Sequence, residues 1–346
     1  MKALFWNVCG VKSSLNRLIN LKKQHNFLFL AILEPIVAGK KIDFYKLKLN
    51  FSHGFSTQYN KCWIFWDSNF LNLLQVQEGD QITTCLFHNT FTQGPIYISA
   101  VYGKHNRNDR LLLWDSISDH NPLDQPWIVG GDFNTIATLS QHHVSPCTRS
   151  MEDFMDCIIN CSLLEPCLKG NKFTWMGNRV KGRVLRRLDR ILINQATLNL
   201  YSETYLYHLG RTSSDHKPLL LDCISHNFSG PKPFRFINAW TLDDSFHGMV
   251  TDAWNSITTG RGMRGLATKL KHLKKCIKDW NHNHFGNIFS QVKETEMEDL
   301  QAQEKFEESE TPSNREALNL ANAKLLLACN KELLGPKSKC EMAFLW

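Results

Sequence analysis

A chain of 346 residues is long enough for one large domain with a substantial core and a smaller one beside it. Its 40 Lys and Arg against 33 Asp and Glu leave a formal charge of +7, a mild excess that suits a polyanionic partner without requiring one. No apolar run reaches membrane-spanning length, and Trp6-Asn7 comes too soon for a signal peptide. The 11 cysteines, an odd count with no C-x-x-C pair, point to neither a disulfide framework nor a zinc knuckle. The expected setting is reducing and intracellular, where the Asn227-Phe228-Ser229 glycosylation sequon has no meaning.

In chain order, Ala3 to Val8 reads as a strand, and Ser13 or Ser14 is placed to cap a helix carrying Leu15, Leu18 and Ile19. Phe27 to Leu33 is apolar throughout, as a strand covered on both faces would be, and it ends in Glu34-Pro35. Cys62 to Trp66, Leu71 to Val76, Ile82 to Phe87 and Ile96 to Val101 read as further strands, the last delivering Tyr102-Gly103. Asn108 opens a helix with Leu111, Leu112, Trp114 and Ile117. Then comes Pro126 to Asn134, a buried strand whose two glycines turn the chain toward Asp132 and Asn134. If the strand continued through Asn134, its period of two would put both side chains on one face. Met151 to Leu164 has helical spacing, and Phe173 to Trp175, Leu188 to Ile193 and Leu219 to Cys223 complete the strands.

Beyond about residue 226 the pattern changes. Gly230, Pro231 and Pro233 mark a linker over 227–240. Over 241–346 no strand pattern appears. Leu266, Leu270, Leu273, Ile277 and Trp280 line one face of an amphipathic helix whose other face carries five lysines from Lys269 to Lys278. An acidic stretch, Glu294 to Glu310, precedes a last helix bearing Leu318, Ala321, Leu325 and Ala328 and stopped by Gly335-Pro336.

The informative feature is the polar residue that finishes so many apolar runs: Asn7, Glu34, Tyr102, Asp132 with Asn134, Asp189, and Asp215-His216. In α/β sheets such ends converge on a crevice where ligands bind. Taken singly, each has an ordinary structural explanation, such as Asp189 pairing with Arg186 or Arg190. Together they suggest a hydrolytic centre.

The words Trp6-Asn7-Val8-Cys9-Gly10, Leu33-Glu34-Pro35, Val101-Tyr102-Gly103, Gly131-Asp132-Phe133-Asn134, Phe173-Thr174-Trp175, Leu188-Asp189-Arg190 and Ser214-Asp215-His216-Lys217-Pro218 stand in a telling order. It resembles that of the endonuclease/exonuclease/phosphatase superfamily, over residues 1 to about 226. The wording looks like the endonuclease domain of plant non-LTR (LINE-type) retrotransposons, relatives of apurinic/apyrimidinic endonucleases. Arg235-Phe236, Ala239-Trp240, the Lys269 to Trp280 helix and His284-Phe285-Gly286-Asn287 are similar to the segment that family places between nuclease and reverse transcriptase. The resemblance implies a DNase I-like, four-layered α/β sandwich of two mixed sheets flanked by helices over 1–226, followed by an all-α region. It also implies a fragment or truncated element, since the expected reverse transcriptase is missing. Two departures stand out. Position 9, commonly basic in this family and acidic in its repair relatives, is Cys9. The acid-glycine signature often found after Gly-Asp-Phe-Asn is replaced by His142 to Arg149.

The implied activity is a metal-dependent DNA endonuclease that nicks one strand of duplex DNA. The alternatives are a phosphomonoesterase or RNA nuclease of the same fold, or a non-catalytic nucleic-acid-binding remnant. Mg2+, with Mn2+ as its substitute, would bind Glu34 and Asp215. Asp132 would orient or deprotonate water, and Asn7, Asn134 and Tyr102 would donate to non-bridging oxygens. Asp189 would hold His216 as a charged donor. The basic run Arg179, Lys181, Arg183, Arg186, Arg187 and Arg190 would contact phosphates. Action on chromosomal DNA would place the protein in the nucleus.

Overall fold

The computed structural model describes residues 1–138, 148–179, 182–224, 240–241, 243–256, 262–281, 283, 286–309 and 311–333. They belong to two compact units, Met1–Ser229 and Gly230–Trp346. The first unit opens with β1 (Lys2–Asn7), α1 (Val11–His25), β2 (Phe29–Leu33), α2 (Ile42–Lys48), β3 (His53–Ser56) and β4 (Cys62–Trp66). A meander, β5 (Leu71–Glu78), β6 (Ile82–Asn89) and β7 (Gly94–Tyr102), leads to α3 (Arg107–Asp119), β8 (Trp127–Asp132) and α4 (Thr148–Asn160). Short strands β9 (Leu163–Leu164) and β10 (Cys167–Lys169) precede the hairpin β11 (Trp175–Arg179) and β12 (Gly182–Arg186). The unit closes with β13 (Asp189–Asn194), α5 (Gln195–Leu200), β14 (Glu203–His208) and β15 (Leu219–Ile224).

These strands form two mixed sheets, ordered β10-β14-β15-β1-β2-β4-β3 and β5-β6-β7-β8-β13-β9, with β11-β12 as a separate ribbon. The middle stretches of β1, β2 and β8 are apolar because both faces are covered. In β1, Ala3 and Phe5 enter the core between the sheets, where Ile98, Ile128 and Ile191 of the second sheet meet them. Leu4 and Trp6 alternate to the outside and pack with Val11, Leu18 and Leu21 of α1. In β8, Ile128 points inward while Trp127 and Val129 pack outward against Leu113, Trp114 and Ile117 of α3 and Phe154 of α4. The result is the expected four-layered sandwich with helices on both outer faces.

Several boundaries differ from the sequence reading. The first helix begins at Val11, capped by neither Ser13 nor Ser14: Gly10, at φ 112, precedes it, and Ser14 Oγ instead bonds back to the Val8 carbonyl. Asn106, not Asn108, caps α3, its side-chain oxygen accepting the Asn108 N–H. β8 stops at Asp132, so Asp132 and Asn134 do not share a strand face. Phe173 and Thr174 precede β11 rather than lying in it. α2, β3, α5 and β14, whose half-polar sequences carry no clear periodicity, escaped prediction.

In the second unit, α6 (Asp244–Asn255) and α7 (Gly262–Trp280) pack through Phe246, Ile277 and Trp280 onto Trp240, with Leu273 alongside. α8 (Gly286–Glu308), read from sequence only as an acidic stretch, is a helix paired with α9 (Pro312–Leu333), Lys324 reaching Glu298 at 3.2 Å. The 230–239 part of the linker, the sequon, His284-Phe285 and Gly335-Pro336 lie outside the described residues.

Candidate active site

Strand register assembles the site. In the second sheet Asp132 stands at the end of β8, with Tyr102 of parallel β7 on one side and Asp189 of antiparallel β13 on the other, so three candidate residues form a row. In the first sheet Asn7 ends β1 beside Leu33 of β2, and Glu34 follows. Asn7 Nδ2 crosses between the sheets and donates to Asp132 Oδ2 at 3.1 Å. Gly131 makes the row achievable: at φ 143, a Cβ there would lie 2.0 Å from the Val101 carbonyl oxygen.

His216 completes the row. Its Nδ1 lies 2.8 and 3.0 Å from the two Asp189 oxygens, and its Nε2 lies 3.8 Å from Asp132 Oδ2. Three contacts fix the loop that carries it. Trp6 Nε1 donates to the His216 carbonyl, Ser214 Oγ donates to the Asn7 carbonyl, and the His216 N–H donates to Ser214 Oγ. Thr174 Oγ1, a residue whose role the sequence did not reveal, accepts the N–H groups of Leu188 and Asp189 at 3.0 Å each.

Cys9, Glu34 and Asn134 all have left-handed backbone, at φ 45, 48 and 50. Strain of this kind, about 1–3 kcal/mol per residue, concentrates at functional sites. Two expected donors are committed within the site. Asn134 Nδ2 donates to the Gly103 carbonyl at 2.7 Å and to Asp132 Oδ2 at 3.3 Å, while its N–H donates to Asp132 Oδ1 at 2.9 Å. Tyr102 likewise donates its hydroxyl to Glu34 Oε1. Both hydrogen-bond to carboxylates in this structure, whereas the sequence reading had them donate to phosphate oxygens.

Asp215 is exposed at the mouth. It accepts from Trp175 Nε1 and from Cys9 Sγ, each at 3.0 Å. Gly177 lets the Trp175 ring lie across the ribbon, since a Cβ there would sit 2.1 Å from that ring. The Met176 N–H donates to the Asp215 carbonyl, so the basic ribbon is tied to the loop bearing Asp215 and His216.

Burial and charge set the protonation states. Burial, reinforced by Asp189, pushes Asp132 up to about 6 against the opposing His216 charge and the Asn134 and Asn7 hydrogen bonds. For His216 burial disfavours the charge, but Asp189 and Asp132 outweigh it and raise it to about 9. Burial also acts against the Asp215 carboxylate, yet the Cys9 thiol, His216 and the Trp175 indole hold it below the usual range. The Cys9 thiol is pushed well up by burial and by the hydrogen bond and charge of Asp215, with Glu34 adding to both. Glu34 and Asp215 both act on the Cys9 thiol, and carboxylate oxygens are the donors a hard dication prefers.

The basic run divides. Arg187 and Arg190 are buried and pair with Glu165 at 3.1 and 2.6 Å, so they brace β13 and present no charge for phosphate. Arg183 and Arg186 lie half-buried on β12, Arg186 over the Trp175 ring. Lys181 and the Arg179 side chain lie outside the described residues, as does His142.

A row of buried carboxylates and an imidazole at the joined ends of two mixed sheets defines a hydrolase-type centre. The family model described as the Endonuclease/Exonuclease/phosphatase family matches residues 4–216, and the chain belongs to that family. The fold is similar to that of the endonuclease domain of TRAS1, a telomere-specific non-LTR retrotransposon, at 16% identity and TM-score 0.51, covering 66% of this chain and 99% of that one. It is also similar to an AP endonuclease from Archaeoglobus fulgidus, at 16% identity and TM-score 0.51, covering 64% and 99%. A 3'-5' exonuclease from Neisseria meningitidis, NExo, gives 15% identity and TM-score 0.50, covering 65% and 100%. At these identities the likeness shows the fold alone. No curated protein sequence matches the chain.

Proposed function

We propose that residues 1–226 form a divalent-metal-dependent DNA endonuclease that nicks one strand of duplex DNA, and that the chain derives from a non-LTR retroelement of the plant LINE type. The linker 227–240 and helical region 241–346 would then correspond to the segment ahead of a reverse transcriptase. The observation that carries this reading is the continuous contact from Asp189 through His216 to Asp132 and Asn7. The fold likeness to the endonuclease domain of a non-LTR retrotransposon supports the same reading. If the substrate is chromosomal DNA, the protein works in the nucleus.

Glu34 and Asp215 are the residues that would hold Mg2+ or Mn2+, which when bound supplies charge stabilisation for the phosphate and the departing oxygen. Asp132, ionised near neutral pH and anchored by Asn7 and Asn134, orients the attacking water and takes its proton. His216, charged because Asp189 faces it, donates from Nε2 to a non-bridging oxygen as negative charge builds. Asn7 has a second amide hydrogen for the same purpose. Tyr102 orients Glu34. Arg183 and Arg186, on a ribbon tied to the catalytic loop, are positioned for the duplex backbone, with Arg179 and Lys181 near them in sequence.

The test compares three substrates with Mg2+ and with chelator: supercoiled plasmid, a 3'-phosphorylated oligonucleotide and a structured RNA. Metal-dependent nicked circles are expected. Phosphate release or RNA cleavage without nicking would replace the endonuclease reading with one of its relatives. Inertness toward all three would leave a binding remnant.

A further inference from the structure

Cys9 takes no part in the hydrolysis proposed above, yet it stands inside the cluster. Its Sγ lies 3.0 Å from Asp215 Oδ1 and 3.5 Å from Asn7 Oδ1, and the residue is exposed. The left-handed backbone and the Cys9 N–H to Asn7 Oδ1 bond hold it there. Cys9, Asp215 and His216 each offer a ligand atom within 4.8 Å of the others. His216 Nδ1 is engaged by Asp189, leaving Nε2 to ligate, and this is the carboxylate–histidine–metal arrangement that fixes a ligating imidazole. A hard ion would use only the oxygen of this set. Sulfur, nitrogen and oxygen together suit a borderline or soft ion in a three-ligand site with a fourth position open to water.

We propose that Cys9, Asp215 and His216 form a capture site for thiophilic divalent cations such as Zn2+ or Cd2+, and that filling it arrests the hydrolase. The second half rests on the proposed function. On binding, the Sγ–H bond is replaced by a sulfur–metal bond and the Nε2–H bond by a nitrogen–metal bond. Both protons leave to solvent, and no group changes oxidation state. Capture withdraws Asp215 from Mg2+ and His216 from the phosphate in one event. Mg2+ competes poorly because it gains nothing from the thiolate.

The experiment titrates Cd2+ into the full chain and into Cys9→Ser, reading thiolate-to-cadmium charge-transfer absorption. In parallel, plasmid nicking at fixed Mg2+ is followed against rising Zn2+. The comparison isolates Cys9 among the 11 cysteines. Expected is a saturable absorption increment that Cys9→Ser lacks. Because Cys9 is a direct ligand, Cys9→Ser should need at least about 100-fold more Zn2+ for half-inhibition, the upper end of what losing an outer partner costs. Equal cadmium absorption in both proteins would overturn the site. Equal Zn2+ inhibition with a Cys9-dependent absorption would overturn the arrest. A Cys9-dependent absorption with no nicking under any condition would support capture while removing the hydrolase reading.

Discussion

Replacing Asp189 by Asn probes the line of contacts on which the chemistry depends. Asp189 and His216 are 2% and 5% exposed, so solvent screens little of their interaction, and both carboxylate oxygens lie within 3.0 Å of Nδ1. The amide can still accept one hydrogen bond from Nδ1–H, and the Asp189 N–H keeps its bond to Thr174 Oγ1, so the strand should survive. What is lost is the charge. A hydrogen bond to a charged group is worth about 1.5–3 kcal/mol. If that stabilisation acts on the transition state, turnover should fall by about 10- to 150-fold at 1.36 kcal/mol per tenfold. KM should change little, because the donor matters most as charge builds on the phosphate. Plasmid nicking at saturating substrate measures the effect, and a thermal melt confirms folding. A folded Asp189→Asn protein that nicks at the wild-type rate would show that His216 does not need its carboxylate.

Gly131→Ala should destabilise the first unit by about 3–5 kcal/mol, since φ 143 disfavours any side chain and the new Cβ meets the Val101 carbonyl; urea denaturation reads this directly. His208 is held well below its ordinary range by burial, with Arg187, Lys217 and Arg190 adding to the effect against the Asn171 carbonyl. The unfolded chain therefore binds this proton more readily than the folded one, and stability should drain away as pH falls below about 6.5. Denaturation midpoints at about pH 7.5 and about pH 5 should diverge less in His208→Gln than in wild type.

The fold was legible where burial is two-sided. β1, β2 and β8 announce themselves as unbroken apolar runs because helices cover one face and the opposite sheet the other. β14 alternates in exposure, but its buried positions are Thr204, Leu206 and His208, so the sequence does not alternate apolar with polar, and α2 has a single buried residue. Strand ends pointed to residues that the structure does bring together, such as Asp132, Asp189 and His216, but not to the hydrogen bonds each makes. Asn134 looks like a phosphate donor until the turn commits its amide to Gly103 and Asp132. Arg187 and Arg190 look like part of a solvated basic run until Glu165, more than 20 residues upstream, is seen to hold both. Thr174 falls within a recognisable motif, Phe173-Thr174-Trp175, but nothing in the sequence says that its hydroxyl accepts two backbone N–H groups near the start of β13.

The most direct measurement is single-turnover nicking of supercoiled plasmid by Asp132→Ala in Mg2+, with folding verified by circular dichroism. Asp132 joins Asn7, Asn134 and His216, so the account requires its loss to reduce the rate by at least about 10²-fold. Nicking by Asp132→Ala at the wild-type rate would place the chemistry elsewhere in the molecule.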